Sequence, residues 1–410
     1  MKLLYLPSYF YPEKAASSYL NDNRNAAFAK AGFHVVIYTP TPTRGLSNEE
    51  YKKFRNMYFE LMYDGMVEVH RFRMYQEGRN PFLRALRYFF VSLFQLWNGL
   101  RAKNIDLVYV ASTPPTQGAL AAIVKKLKHV PFVYNLQDIF PDSLVGTGLA
   151  KKGGLLWKIG RVIENFTYRN ADKIIVISED FKRNIMAKGV PEEKIEVIYN
   201  WVDENAIVPV KEEDNDLFEE FGISRDKFRV VYAGNLGNAQ NIEMIVEAAR
   251  RLKGNAQIEF VIFGKGGLED DIKQTKDKER LDNLKILPLQ PYDRVAKVYG
   301  LGHVCIVACK PGLGGAAMPS KTWSIMSSGR AVLANFDEGE LKEILEKNHC
   351  GAFTKAGDLE GFVSTIENLS QHPEQCAEMG ANGRQFIMKN LTREVGTQKY
   401  VRVIKTITKQ

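Results

Sequence analysis

Three glycine-bearing turns in the second half of the chain have the composition of anion cradles. They are Tyr232-Ala-Gly-Asn-Leu-Gly-Asn-Ala-Gln240, Phe263-Gly-Lys-Gly-Gly267 and Lys310-Pro-Gly-Leu-Gly-Gly-Ala-Ala-Met-Pro-Ser-Lys321. Glycine lets main-chain N–H groups come close to a ligand, and a helix N-terminus adds partial positive charge, so such turns suit a phosphate. Lys265, Lys310 and Lys321 add full charges. Each turn alone would serve equally as a tight strand-to-helix connection. Three within one domain point to a diphosphate-bearing ligand. The chain has no GxxxxGK[ST], and its first strand runs into Ser8-Tyr-Phe-Tyr-Pro12 rather than GxGxxG. That argues against a P-loop kinase and a standard dinucleotide dehydrogenase, and a nucleotide-sugar fits better.

In the first half the most informative loop is Asn135-Leu-Gln-Asp-Ile-Phe-Pro-Asp-Ser143. Asp138 would sit at a strand end, where a carboxylate can accept the proton of an acceptor hydroxyl. A turn or N-cap role is the alternative, and Asp142 with Ser143 has the look of a cap for the next helix. Ala111-Ser-Thr-Pro-Pro-Thr116 follows another strand and suits turn and cap roles as well as ligand contact. The six histidines are scattered and give no ligand set, so no metal site is expected. The four cysteines, Cys305, Cys309, Cys350 and Cys376, lack CxxC spacing and read as reduced core thiols of a cytoplasmic protein.

These loops need strands to hold them. Short β-branched and aromatic runs at Leu3–Pro7, His34–Thr39, Val67–Phe72, Asp106–Ser112, Phe132–Gln137, Lys173–Ser178 and Glu196–Tyr199 alternate with helical stretches, which predicts a parallel sheet covered on both faces. A second series runs through Val230–Ala233, Ile258–Phe263, Leu284–Leu289, Val304–Ala308 and Ala331–Ala334. Between the two, Asp203–Lys227 lacks an apolar run and reads as linker. The expected α/β architecture is two doubly wound, Rossmann-like domains whose strand carboxyl ends face a cleft. Residues 1–203 and 204–385 would form them, and a last helix over 386–410 would pack back on the first.

Length and charge fit that plan. At 410 residues the chain has room for two or three cores. No stretch of eighteen consecutive apolar residues occurs, so neither a spanning helix nor an export signal is expected. The net charge is +8, and residues 1–205 carry all of it, with 28 Lys and Arg against 20 Asp and Glu. An excess confined to one half implies an anionic partner there. The helix candidate Phe82–Arg101 is the most apolar: Arg84, Arg87, Gln95, Asn98 and Arg101 form a polar stripe against a wide arc with Phe82, Phe89, Phe90, Phe94 and Trp97. With Arg71, Arg73, Arg79 and Lys103 nearby, it suits an anionic membrane surface. Burial within the first domain is the alternative. The basic residues are not interleaved with a nucleic-acid-binding module, so no nucleic-acid partner is expected.

Taken in order, several of these segments resemble glycosyltransferase family 4, the retaining enzymes of GT-B fold, and within it the bacterial branch of N-acetylfucosamine transferases of surface-polysaccharide synthesis. The resemblance covers essentially the whole chain and rests on the loop at 137–143, Ala171-Asp-Lys-Ile-Ile-Val-Ile-Ser178, Gly234-Asn-Leu-Gly-Asn-Ala-Gln240, Gly264-Lys-Gly266 and Met318-Pro-Ser-Lys321. It implies a UDP-sugar donor in the second domain and, in the first, a polyprenyl-diphosphate-linked saccharide acceptor at the inner membrane face. Donor phosphates would meet Gly234, Asn235, Gly237, Gly264, Lys265, Gly266, Lys310, Pro319, Ser320 and Lys321, and the base would meet Leu289 and Gln290. Lys321, Lys265 and Asp138 would be the catalytic groups, with no metal and no cofactor beyond the sugar nucleotide.

The chain departs from the family at two places. The E-x7-E pair falls on Ala316 and Ser324, so Ser324 would offer one weaker hydrogen bond where a carboxylate usually holds the ribose; Trp323 beside it would pack on the sugar or fill the core. The acceptor-side histidine of many members aligns near Gln137. The expected activity is transfer of an N-acetylated hexose or deoxyhexose to a lipid-linked acceptor in capsule, O-antigen or exopolysaccharide synthesis. A non-transferring nucleotide-sugar epimerase of GT-B fold and an inactive nucleotide-sugar-binding protein are the alternatives.

Overall fold

The computed structural model describes residues 1–13, 18–76, 81–146, 150–314 and 318–407. Arg79, Ala316 and the side chain of Phe82 lie outside the described residues. The chain divides into two units, residues 1–200 with 396–410, and residues 201–395.

The first unit runs β1 (Lys2–Tyr5), α1 (Ser18–Lys30), β2 (His34–Pro40), α2 (Asn48–Phe54), β3 (Phe59–Met62), β4 (Val67–Phe72), α3 (Pro81–Arg101), β5 (Leu107–Ala111), α4 (Thr116–Lys128), β6 (Phe132–Leu136), α5 (Asp142–Gly146), α6 (Leu155–Asn170), β7 (Lys173–Val176), α7 (Glu179–Ala187) and β8 (Ile195–Val197). Its sheet has the order β3-β4-β2-β1-β5-β6-β7-β8. All pairs are parallel except β3 with β4. That antiparallel edge is absent from the expected strands, because Phe59-Glu-Leu-Met62 is half exposed and has no apolar run. The central strands β5 and β6 are buried on both faces, which is why they read as continuous Leu, Val, Tyr and Phe.

The second unit contains α8 (Leu217–Glu220), β9 (Phe228–Asn235), α9 (Ile242–Arg251), β10 (Ile258–Lys265), α10 (Glu269–Glu279), β11 (Leu284–Pro288), α11 (Val295–Gly300), β12 (Val304–Ala308), α12 (Lys321–Ser327), β13 (Ala331–Phe336), α13 (Glu340–Lys347), β14 (Gly351–Lys355), α14 (Leu359–Gln371) and α15 (Pro373–Asn390). A last helix, α16 (Arg393–Ile407), carries the chain back into the first unit. The second sheet is all parallel, in the order β11-β10-β9-β12-β13-β14. Its core is apolar, built on Val230, Ile245, Phe260, Ile262, Ile306 and Leu333, each at most 1% exposed. β14 is an added edge, missed in the sequence for the same reason as β3.

Two expectations need correction. The segment 203–227 is not a free linker: Ile207, Leu217, Phe218 and Ile223 are buried. Single apolar anchors without periodicity pack it onto the second unit. The division near the C-terminus falls at 395 rather than 385, because α15 is one continuous helix packed on α12 and β13. Tyr400 of α16 then sits in the first unit, where its hydroxyl donates to Asn135 Oδ1 at 3.1 Å and its ring lies 5.6 Å from the buried Arg24 guanidinium.

The orientation of α3 is a third correction. Arg87 and Gln95, members of the expected polar stripe, are 0% exposed. Gln95 Nε2 donates to the carbonyls of Pro7 (2.8 Å) and Tyr38 (3.1 Å), and its Oε1 accepts from Gln117 at 2.5 Å. The Arg87 guanidinium lies 5.5 Å from the Tyr9 ring. The aromatic arc faces outwards instead, with Phe89 57% and Trp97 60% exposed. No helix of the described residues is long and apolar enough to cross a membrane.

Candidate functional site

In an open parallel sheet the crevice forms where the strand order reverses, at the carboxyl ends. In the second unit that point lies between β9 and β12, so the loops after these strands flank it. Register sets Gly234 of β9 beside Gly264 of β10, and Gly264 beside Pro288 of β11; Asn235 pairs with Lys265. Gly234 has φ of +145°, and a Cβ built there would stand 2.9 Å from Lys321 Nζ. Glycine is therefore what lets the lysine reach the strand end.

Lys321 opens α12, and its Nζ lies 4.1 Å from the centre of the Tyr232 ring. It donates to the Tyr232 hydroxyl at 3.1 Å, which donates to the Asn235 carbonyl at 2.7 Å. Among the described residues no carboxylate pairs with this ammonium. Its burial lowers the lysine from 10.5 to about 8. Burial also raises the Tyr232 phenol, so it stays a neutral donor. A desolvated cation held by a ring face and one hydroxyl is an unspent charge, available to an anion.

Gly264 and Gly266 serve a different purpose from the open cradle expected of them. A Cβ at Gly264 would meet the Leu236 side chain at 2.5 Å, and one at Gly266 the Leu236 carbonyl oxygen at 2.5 Å. Leu236 N–H donates to the Lys265 carbonyl and Leu268 N–H to the Leu236 carbonyl, each at 3.0 Å. The two glycines thus permit close packing of one turn on the next. A Cβ built at Gly237 would meet Asn235 Nδ2 at 2.6 Å. Lys265 is exposed at the end of β10.

The start of the third turn is already satisfied. Lys310 Nζ bonds Asn238 Oδ1 and pairs with Glu243 at 3.1 Å, and its N–H donates to the Ala239 carbonyl at 2.9 Å. The N–H groups of Gly312 and Gly314 go to the Asp337 carboxylate at 3.0 and 2.7 Å. Pro319 and Ser320 accept the first N–H groups of α12, from Thr322 and Trp323. Trp323 is 2% exposed and stacks on Phe386 at 6.2 Å, so it fills the core. Ser324 is half-buried one turn after Lys321. Leu289 and Gln290 follow β11, two strands from β9; Leu289 is exposed, and Gln290 bonds the Pro288 carbonyl and Arg294.

In the first unit Ser112 joins two loops: its hydroxyl accepts the N–H groups of Gln137 at 3.0 Å and Asp138 at 3.2 Å. Burial raises the Asp138 carboxyl, opposed by hydrogen bonds from Ser143 and the Ile139 N–H. Ser143 thus serves Asp138, and Asp142 pairs with Lys188 at 2.7 Å. Gln137 is fixed by Asn135 and Asn200 at 2.9 and 2.8 Å. A group the sequence did not single out is Glu13, 3% exposed, whose carboxylate accepts the N–H groups of Phe10, Thr43 and Arg44 and ties the loops after β1 and β2. Tyr232 was likewise missed, since an aromatic inside an apolar strand looks like core. The described residues contain no group of His, Cys, Asp and Glu able to hold a metal.

Comparison with known proteins gives two family matches: the model for Glycosyltransferase Family 4 over residues 25–206 and that for Glycosyl transferases group 1 over 213–386. The probable glycosyltransferase WbjE of Pseudomonas aeruginosa is 24% identical over 83% of this chain and 85% of that protein. The putative colanic acid biosynthesis glycosyl transferase WcaI of Escherichia coli is 30% identical over 55% of this chain and 56% of its own length. Among solved structures, HepE of Anabaena in complex with UDP superposes with a TM-score of 0.72 at 17% identity over 99% of this chain and 100% of that one. Sucrose-phosphate synthase of Thermosynechococcus elongatus gives 0.74 at 14% identity, over 99% and 98%. At such identities the structures speak for the fold.

Proposed function

Starting from the premise that the chain belongs to glycosyltransferase family 4 and has the GT-B fold, we propose that it moves a sugar from a UDP-linked donor to a polyprenyl-diphosphate-linked saccharide in surface-polysaccharide synthesis. The observation that carries the proposal is Lys321, a half-buried ammonium without a carboxylate among the described residues, at the switch point of the second sheet. A leaving diphosphate is the charge it fits. The curated relatives are named as glycosyltransferases, one of them of colanic acid biosynthesis, and HepE has also been crystallised with UDP-glucose.

In this proposal the donor diphosphate lies over Gly234, Asn235 and Gly237, with Lys265, Pro319 and Ser320 beside it and the base towards Leu289 and Gln290. Lys310 contributes little, since Glu243 already holds it. The anomeric carbon–oxygen bond to the diphosphate breaks while the acceptor hydroxyl attacks the same face, giving retention; the acceptor proton passes to a departing phosphate oxygen. Lys321 stabilises the charge that grows there, which is where fixed cations lower a barrier most. The step uses a lysine rather than a metal ion. Asp138 positions the acceptor hydroxyl, Ser324 replaces the ribose-binding carboxylate with a single hydroxyl, and an N-acetylated hexose or deoxyhexose, such as N-acetylfucosamine, is the proposed sugar. The first unit's excess charge and the outward aromatic arc of α3 would keep the enzyme at the inner membrane face, where such acceptors lie.

The test is a radiolabelled panel of UDP-sugars incubated with membrane lipid extract. Label passing into a lipid-diphosphate product supports the proposal. Donor consumed without acceptor would replace it with an epimerase, and tight UDP binding without turnover of any donor would leave a binding protein.

A further inference from the structure

The helix α6 presents an apolar stripe that the core of its unit does not use. Leu155, Leu156, Ile159 and Val162 are exposed, Leu155 to 77% and Val162 to 69%. At 100° per residue they share one side of the helix, and the adjoining flank holds Arg161, Asn165 and Arg169, one turn apart. That flank is one wall of a groove of about 450 Å³; residues 188–191 and Lys194 form the other.

The cations in this groove are unequally paired. Arg161 and Lys188 share the carboxylate of Glu164, and Lys188 also reaches Asp142 at 2.7 Å. Arg169 and Lys194 meet no carboxylate among the described residues. Arg169 Nε donates to the Asn165 carbonyl at 3.2 Å, and Lys194 donates to the carbonyls of Arg169 and Ala171 at 3.3 and 3.0 Å. Neither is paired with a carboxylate among the described residues, and Arg169 lies on the flank that adjoins the stripe.

We infer that this groove binds the phosphate of an anionic lipid headgroup, with the stripe of α6 seated at the acyl boundary. Charge complementarity selects the occupant: a bilayer supplies an apolar layer and a plane of phosphates in that order, matching stripe and groove side by side. The neighbours of α6 extend the same face. α4 packs on both α6 and α3 and exposes Leu127 to 63%, and α3 exposes its aromatic arc. The membrane-facing element is then a layer of three helices rather than α3 alone. The inference rests on the membrane contact proposed above and adds to it a second, headgroup-specific locus.

Sedimentation of the full chain with phosphatidylcholine vesicles, and with the same vesicles containing phosphatidylglycerol, tests it. Arg169→Gln with Lys194→Gln should weaken binding to the anionic vesicles about 25-fold, about fivefold per charge. Binding to neutral vesicles should not change. Leu155→Ser, at an exposed position, should weaken binding to both, and Lys342→Gln in the second unit to neither. If the paired variant binds like the parent while Trp97→Ser on α3 does not, the headgroup site is wrong and the membrane contact stands. If the parent binds no anionic vesicle, both fall. Inorganic phosphate displacing the protein from vesicles as well as an equal concentration of lipid phosphate would make the groove a free-anion site and overturn the inference. Unchanged circular dichroism and thermal midpoints keep each comparison valid.

Discussion

The connection that follows β12 at the switch point carries a lysine at each end, Lys310 and Lys321, yet their chemistry has opposite status. At its start the charges are matched internally: Glu243 takes Lys310, and Asp337 takes the amides of Gly312 and Gly314. At its far end the cation is left over: Lys321, which opens α12, leans on the Tyr232 ring and hydroxyl near the end of β9, without a carboxylate among the described residues. A lysine at the switch point is thus committed or available according to whether an acidic residue from elsewhere pairs with it. Burying an unpaired cation costs stability, and such a cost is expected where a ligand supplies the missing charge.

The largest effect should come from removing that cation. Lys321→Ala is expected to lower turnover about 10²–10³-fold, the scale of losing one fixed group that stabilises charge in a transition state. Lys310→Ala should cost no more than about fivefold, because only a partly exposed ion pair is lost. Steady-state rates with one UDP-sugar check both. Equal losses would erase the distinction between the two lysines.

The second effect concerns protonation. Only the ammonium form of Lys321 can hold a diphosphate, so kcat/KM should fall about tenfold per pH unit above a pKa near 8 in the free enzyme. Lys321→Arg should move that limb beyond the accessible range, since a guanidinium does not deprotonate there. Stability runs the other way. The folded pKa of about 8 lies below the ordinary 10.5, so between these values the unfolded chain holds more protons and stability rises with pH. Below pH 8 the cost of the buried charge is present in full, and Lys321→Met should raise the thermal midpoint there. A flat rate profile through this window would mean that Lys321 carries no charge that matters.

The contrast also explains what could be read in advance. Lys321 and Gly234 were legible because lysine and glycine at strand ends have few structural uses, and the central strands were legible because burial on both faces leaves unbroken apolar runs. Tyr232 was not, since an aromatic within such a run is indistinguishable from core until its hydroxyl is seen between Lys321 and Asn235. Asp337 was not, because its role depends on β13 lying beside β12, a matter of sheet order. Periodicity gave the two sides of α3 but not their direction. Arg87 and Gln95 turn inwards because the Tyr9 ring and the carbonyls of Pro7 and Tyr38, all distant in sequence, are there to receive them. β3 and β14 were missed because half-exposed edges carry no such run.

The smallest effect sharpens the comparison most, because it separates the lysine from what holds it. Tyr232→Phe keeps the ring face under the ammonium and removes only the hydroxyl that accepts from Lys321 at 3.1 Å and donates to Asn235 at 2.7 Å. One hydrogen bond to a charged group is lost, so turnover near neutrality should fall about five- to tenfold. That bond favours the charged lysine, and without it the alkaline limb should move to lower pH. Tyr232→Leu, which also removes the ring, should lose more and move the limb further. Were Tyr232 no more than packing, both variants would change the thermal midpoint and leave the limb where it was.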